Sequence, residues 1–229
     1  MKSAVIGLGE TGGPLFEILH EHYGDDVVGI DILQPFSFND RFDILNICIP
    51  FSDHFIDIVE NYKRMYSPPL TIIHSTVPIG TTRQIPNAVH SPILGQHHNM
   101  KDCLRRFPKW IGGKLAKKAS TYLETAGFQT ICVAKQDETE ALKLMCLAKY
   151  GMSIAFAQYQ KDICDARGFS YEDVLTWDRY YNEYVSKELK RPILSAPGKK
   201  IGGHCVTQNT KLLNEQYPNP ILEEILKYA

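Results

Sequence analysis

Four short clusters in this sequence hold residue types that can do chemistry. The first is Gly7-Leu8-Gly9-Glu10-Thr11-Gly12-Gly13-Pro14, between a short β-branched run and an amphipathic stretch. Glycines at this spacing permit a tight turn, close backbone approach to a pyrophosphate and close helix–strand packing. The helix that follows offers unpaired N–H groups and a favourable dipole to phosphates. Asp31, nineteen positions after Gly12, ends the second β-branched run. A carboxylate there accepts ribose hydroxyls and repels a 2′-phosphate, which favours NAD over NADP. The same residues also read as a glycine-rich turn with Asp31 capping a loop. Glu10 sets an acid beside the phosphate loop, which weakens binding unless it points away.

The second cluster is His74-Ser75-Thr76-Val77-Pro78-Ile79-Gly80-Thr81-Thr82, at the carboxyl end of a predicted strand. Ligands of open α/β sheets bind outside those strand ends, so its hydroxyls could face a cofactor; it also reads as a plain Pro/Gly/Thr turn. The third is Lys199-Lys200-Ile201-Gly202-Gly203-His204-Cys205-Val206. Glycines there bring backbone and thiol close to a substrate, and neighbouring lysines and a histidine favour the nucleophilic thiolate. A buried structural cysteine is the alternative. The fourth is Glu140-Ala141-Leu142-Lys143-Leu144-Met145-Cys146-Leu147, whose Lys143 either snorkels to solvent or projects into a crevice as a charge stabiliser. His90, His97, His98 and Cys103 lack a recognisable zinc spacing, so no metal is expected.

These residues need a scaffold, and the chain supplies an alternating one. Residues 3–6, 26–30, 43–49, 70–75, 88–90, 110–112 and 130–134 read as strands. Residues 12–22, a Ser52-capped stretch to about residue 65, and 114–125 read as helices. Strands separated by helices at this spacing predict a Rossmann-type, doubly wound parallel sheet over residues 1–134, the NAD-binding domain. Residues 135–229 form a helical domain carrying the Cys205 loop. Its centre is a proline-free helix over residues 137–166, ended by Gly168 as a C-cap glycine. Ser170 caps a further helix towards residue 189, with Asp173 in the capping-box position. Residues 197–203 read as a loop, and short helices near 210–215 and 220–228 follow.

Composition narrows the function classes. Lys and Arg number 25 against 26 Asp and Glu, a net charge of −1, which argues against a dedicated nucleic-acid or anionic-membrane binder. No apolar run approaches the ~18–20 residues that span a bilayer, and no secretory leader is legible at the start. Six scattered cysteines without a CxxC pair suit reduced thiols in the cytoplasm.

Taken in order, the clusters resemble the UDP-glucose/GDP-mannose dehydrogenase family. The glycine loop is similar to that family's opening fingerprint. Residues 75–82 match its STVPxGTT signature at every fixed position, and His90-Ser91-Pro92 and Lys109-Trp110-Ile111-Gly112-Gly113 resemble its next two strands. Lys143 corresponds to its long-helix lysine, and Gly202-Gly203-His204-Cys205 to its glycine-glycine-His-Cys loop. The resemblance implies oxidation of a sugar C6 alcohol to a carboxylate with two NAD, through a cysteine thiohemiacetal and thioester. It implies Cys205 as nucleophile, Lys143 as oxyanion stabiliser and Thr76 as the residue positioning substrate or water. It further implies cofactor contacts at Gly7, Gly9, Glu10, Thr11, Gly12, Asp31, Pro50, Ser75 and Thr76, and substrate contacts at Ser91, Gly202, Gly203, His204 and Asn209. The substrate would be a small molecule such as a nucleotide sugar, and a homodimer would form through the helix over residues 137–167.

The sequence also departs from the family. Its glutamate after Ser-Pro is Ile93 here, its asparagine four residues after the lysine is Leu147, and its aspartate four residues after the cysteine is Asn209. Neither Ile93 nor Asn209 can act as a general base. The resemblance implies a shortened, divergent member lacking the C-terminal nucleotide-binding domain. The expectation is an NAD-dependent oxidoreductase. Its alternative is a catalytically impaired NAD- or nucleotide-binding sensor or partner subunit.

Overall fold

A computed structural model describes residues 1–31, 41–195, 198, 200–201 and 205–228. Fifteen elements are used below: β1 (Ser3–Ile6), α1 (Gly12–Tyr23), β2 (Val27–Ile30), β3 (Ile44–Ile47), α2 (Phe55–Tyr66), β4 (Leu70–Ile73), β5 (Ala88–His90), α3 (Met100–Arg106), β6 (Lys109–Gly112), α4 (Ala116–Thr125), β7 (Thr130–Val133), α5 (Gln136–Arg167), α6 (Tyr171–Tyr184), α7 (Cys205–Gln216) and α8 (Pro220–Leu226). None of these helices is long and apolar enough to cross a membrane.

The seven strands form one sheet in the order β2-β1-β3-β4-β5-β6-β7. Its central strands β1, β3 and β4 are buried on both faces because helices cover both. Val5, Ile44, Ile72 and Val89 pack on one side with Leu15 and Leu19 of α1, Leu104 of α3 and Leu123 of α4. Ala4, Ile6, Leu45, Ile47 and Ile73 point the other way, onto Phe55 and Val59 of α2. The two-residue alternation of side chains thus builds two cores from nearly continuous apolar runs. The fold is a Rossmann-type doubly wound sheet followed by a helical segment. One strand departs from the parallel expectation. β6 runs antiparallel to β5, with His90 opposite Gly112, and β7 is again parallel to β6. The chain between β5 and β6 carries α3, a seven-residue helix too short to show a periodic signal in the sequence.

Three local expectations need correcting. Ser52 does not cap α2: the helix starts at Phe55, whose N–H donates to the Ser52 carbonyl at 2.9 Å. Ser170 precedes α6 in extended conformation, yet its side chain makes no capping bond, and the Asp173 N–H donates instead to the Ser170 carbonyl. That helix stops at Tyr184, before a 3-10 turn at Lys187–Leu189. Helix α7 begins at Cys205, well before residue 210, because Val206, Thr210 and Leu213 present one buried face at helical spacing.

The chain divides into two compact units, residues 1–143 and 144–229, with the division inside α5. In the first unit, the opening turns of α5 carry Gln136, Thr139, Glu140 and Lys143 at i, i+3, i+4 and i+7, one helical face. Every one of them bonds to a different part of the sheet's end. Gln136 Nε2 donates to the Ala88 carbonyl at 3.2 Å, and Thr139 Oγ1 to the His90 carbonyl at 3.3 Å. The Glu140 carboxylate accepts the Gly80 N–H at 2.6 Å and the Thr82 N–H at 2.8 Å. Lys143 Nζ donates to the Ile93 carbonyl at 2.8 Å. In the second unit, Ala155, Ile201, Val206 and Ile225 form a small core with Leu147 and Ile154 against it. Gly151 makes room for it, since a Cβ there would meet Val206 Cγ1 at 2.7 Å.

Glu140 therefore ties the loop after β4 to the start of α5. Glu140→Ala strands two buried N–H groups and is expected to cost about 2–5 kcal/mol in urea unfolding. Glu140→Gln, which retains one acceptor oxygen, is expected to cost less.

Candidate functional site

The glycine loop is built by contacts that tolerate no side chain in two places and leave open space in a third. Gly7 lies at φ +88° and donates its N–H to the Ile30 carbonyl at 2.8 Å, which joins β1 to the end of β2. A Cβ on Gly12 would meet the Gly7 carbonyl oxygen at 1.8 Å, so helix α1 can approach β1 only with glycine there. Among the described residues, a Cβ on Gly9 would meet nothing within 4 Å. The loop is thus packed beneath Gly7 and Gly12 and open above Gly9, at the N-terminus of α1, where a helix favours an anion. Thr11 occupies the N-cap position and makes no side-chain capping bond. Asp31 Oδ2 accepts the Leu8 N–H at 3.0 Å, which sets the carboxylate beside the loop. Glu10 is exposed. With β1 flanked by β2 and β3, the loop stands where chain direction across the sheet reverses, the usual ligand crevice of such sheets. These features fit a dinucleotide's pyrophosphate at Gly9 and its ribose at Asp31.

The strand ends beside the loop carry the second cluster. Ser75 Oγ donates to the Ile49 carbonyl at 2.6 Å, next to exposed Pro50, and Thr76 is half-buried. The turn through residues 75–82 is held by Thr81 Oγ1 on the Pro78 carbonyl at 2.8 Å and by the two Glu140 bonds. Glu140 itself is fully buried, and desolvation raises its carboxyl above the ordinary range, the Thr82 and Gly80 hydrogen bonds opposing that.

Beneath the strand ends runs a buried polar seam that sequence reasoning missed. Lys109, the first residue of β6, is 3% exposed. Its ammonium nitrogen donates to the Ser91 carbonyl at 3.0 Å and the Pro92 carbonyl at 3.3 Å. The next carbonyl, Ile93, is the one that receives Lys143. His74 Nδ1 lies 2.8 Å from the Ser91 carbonyl, and its Nε2 lies 3.1 Å from Asn46 Oδ1. His90 Nε2 lies 3.1 Å from the Ser75 carbonyl and its Nδ1 2.8 Å from Thr139 Oγ1. The Ser91 hydroxyl, fully buried, has no hydrogen-bond partner among the described residues. Burial pushes His90 down to about 3 and Lys109 down to about 7, and the neighbouring Lys143 charge adds to both shifts. Burial also raises the Cys48 thiol to about 12, so this cysteine near the glycine loop is an inert one. No apolar periodicity announces these groups. The available signal was the polar spacing of Gln136, Thr139, Glu140 and Lys143 along one helix face.

In the second unit, half-buried Cys205 opens α7, and Asn209 lies one turn further along, 7% exposed. Gly202, Gly203 and His204 lie outside the described residues. The three departures from the family pattern have packing roles or burial. Ile93 belongs to the sheet core at 5% exposure, and Leu147 packs with the Val206 and Ile225 cluster.

No family model matches the sequence, and no curated protein matches it. Solved structures do match in fold. The UDP-D-ManNAc dehydrogenase of Pyrococcus horikoshii superposes with a TM-score of 0.82 at 18% identity, over 100% of this chain and 68% of that one. The UDP-N-acetyl-mannosamine dehydrogenase Cap5O of Staphylococcus aureus gives 0.74 at 20% identity, over 100% and 67%. The 3-hydroxyisobutyrate dehydrogenase of Mycobacterium tuberculosis, solved with L-serine, gives 0.73 at 13% identity, over 99% of this chain and 91% of that one. The fold is therefore the one found in these dehydrogenases. The chain spans about two-thirds of the two UDP-sugar enzymes' length and nearly all of the third's.

His90 gives the site a pH signature. An unfolded histidine titrates at about 6.5, so between there and about 3 the unfolded chain binds more protons than the folded one. Stability is accordingly expected to fall as pH drops through that window, and less steeply in His90→Asn. Urea midpoints taken from about pH 7 to about pH 4 check this.

Proposed function

We propose that this chain is an NAD-dependent oxidoreductase acting on the alcohol of a sugar or related small molecule. The observation that carries the reading is the loop open above Gly9 with Asp31 fixed beside it, at the direction reversal of the sheet. Gly7, Gly9, Glu10, Thr11, Gly12, Asp31, Pro50, Ser75 and Thr76 would hold the cofactor. Bound NAD supplies the hydride acceptor. On the protein's side, Lys143 stabilises negative charge developing on the substrate oxygen, and Thr76 positions substrate or water. Cys205 is the nucleophile: its sulfur forms a bond to an aldehyde carbon, and the thiol proton ends on the former carbonyl oxygen. The α7 N-terminus favours the thiolate that attacks. Ser91, Asn209 and the Gly202-Gly203-His204 stretch would contact the substrate.

The second reading, a nucleotide-binding sensor or partner subunit with impaired turnover, is favoured by Ile93 and Leu147, core residues where the resembled family has polar ones. In either reading the protein acts in the cytoplasm, which suits its buried thiols at Cys103 and Cys164. It would act as a homodimer through α5. Leu142, Met145, Met152, Phe156, Tyr159 and Ile163 are all exposed and recur at spacings of three, four and seven residues, the pattern of a helix seam.

Two experiments separate the readings and test the cofactor loop. A panel of nucleotide sugars and hydroxy acids, followed by NADH absorbance, is expected to yield a substrate whose oxidation is lost in Cys205→Ser. NAD binding without any NADH, together with a thiol unreactive to alkylation, would favour the sensor. For the loop, Gly9→Ala is expected to keep the wild-type Tm and lose NAD binding about tenfold or more, read by calorimetry. Gly12→Ala is expected to lower Tm by many degrees, because its methyl group overlaps the Gly7 carbonyl.

A further inference from the structure

We propose that Lys109 is a positioning residue for Lys143, acting through the turn Ser91-Pro92-Ile93 that both lysines grip. The proposal rests on the oxidoreductase reading only in giving Lys143 a task. The geometry is independent of it.

Lys109 stands at the start of β6, opposite Thr130 and 3% exposed, a position where a lysine is costly to bury. Its amine is nonetheless turned inward, onto the carbonyls of Ser91 and Pro92, while Lys143 takes the carbonyl of Ile93. Three consecutive carbonyls at the end of β5 thus receive two side-chain amines from two different elements. His74 on the loop beyond β4 adds its Nδ1 to the Ser91 carbonyl. A three-residue turn held at each carbonyl has little freedom, so the Ile93 oxygen is a fixed anchor for Lys143. Removing Lys109 frees the Pro92 carbonyl, leaves the Ser91 carbonyl to His74 alone, and loosens the third. The titratable groups that act on Lys109 are Cys48 after β3 and Lys143 on α5, and Lys109 in turn acts on His74 and His90. The two amines therefore sense each other's charge. Because burial brings Lys109 down to about 7, that mutual influence changes across neutral pH.

Labelling of the folded protein tests this without requiring turnover. Limiting acetic anhydride is applied from about pH 6 to about pH 10, and Lys143 acylation is read by peptide mass spectrometry. Exposed Lys117 and Lys118 are the internal references. Above about pH 8, where Lys109 is already neutral, Lys143 labelling relative to the references is expected to rise about threefold or more in Lys109→Met, because its carbonyl anchor is loosened. In Lys109→Arg, which keeps donors for the carbonyls, it should stay near the wild-type rate. Lys109→Leu serves as the neutral, donor-free variant if the methionine does not fold. A folded neutral variant whose Lys143 curve superposes on wild type overturns the proposal. With a substrate in hand, kcat is expected to fall about tenfold in the neutral variant while the KM for NAD is unchanged. A wild-type protein without turnover would count against the oxidoreductase reading, and the labelling curve would still decide the role of Lys109.

Discussion

The arrangement of the first unit depends on one docking event, in which α5 enters through its polar face. Gln136, Thr139, Glu140 and Lys143 each find a backbone or side-chain partner at the sheet's carboxyl end, and Leu142 and Met145 on the same turns stay exposed. This inverts the ordinary logic of a surface helix, whose apolar stripe faces the core. The inversion is stable because each buried polar group is matched. Glu140 alone satisfies two loop N–H groups, and hydrogen bonds to a charged acceptor are worth about 1.5–3 kcal/mol each.

Polar docking also has a directional consequence that apolar packing lacks. Hydrogen bonds fix rotation and register, so α5 cannot slide without breaking several at once. The loop carrying Thr76 is held by Glu140, the turn after Ser91 by Lys143 and Lys109, and β5 by Thr139. Three pieces of the candidate site are thereby referenced to one helix. Where the sequence departs from the resembled family, at Ile93 and Leu147, the replacements fill local cores.

Much of this was legible in the sequence, for definable reasons. The sheet's central strands are nearly continuous apolar runs, and a two-sided core needs nothing else to be seen. The glycine loop could be read in detail because Gly7 and Gly12 are required by steric contact and Gly9 is open. Strand direction was less visible: β6 reverses without any change in its own residues, since the information sits in the connection that precedes it. The start of α7 at Cys205 was hidden by the glycines before it. The role of Glu140 showed only as polar spacing along one face of α5, and that of Lys109 was missed because a single buried charge leaves no periodic trace. Only its partners, distant in sequence, explain Lys109.

The central claim is that the opening above Gly9, with Asp31 beside it, is a working dinucleotide site selective against a 2′-phosphate. Thermal unfolding with saturating NAD and, separately, NADP tests it most directly, because a ligand that binds only the folded state raises Tm by mass action. The account predicts a clear rise with NAD and little or none with NADP. No shift with either, or a larger shift with NADP, would contradict it.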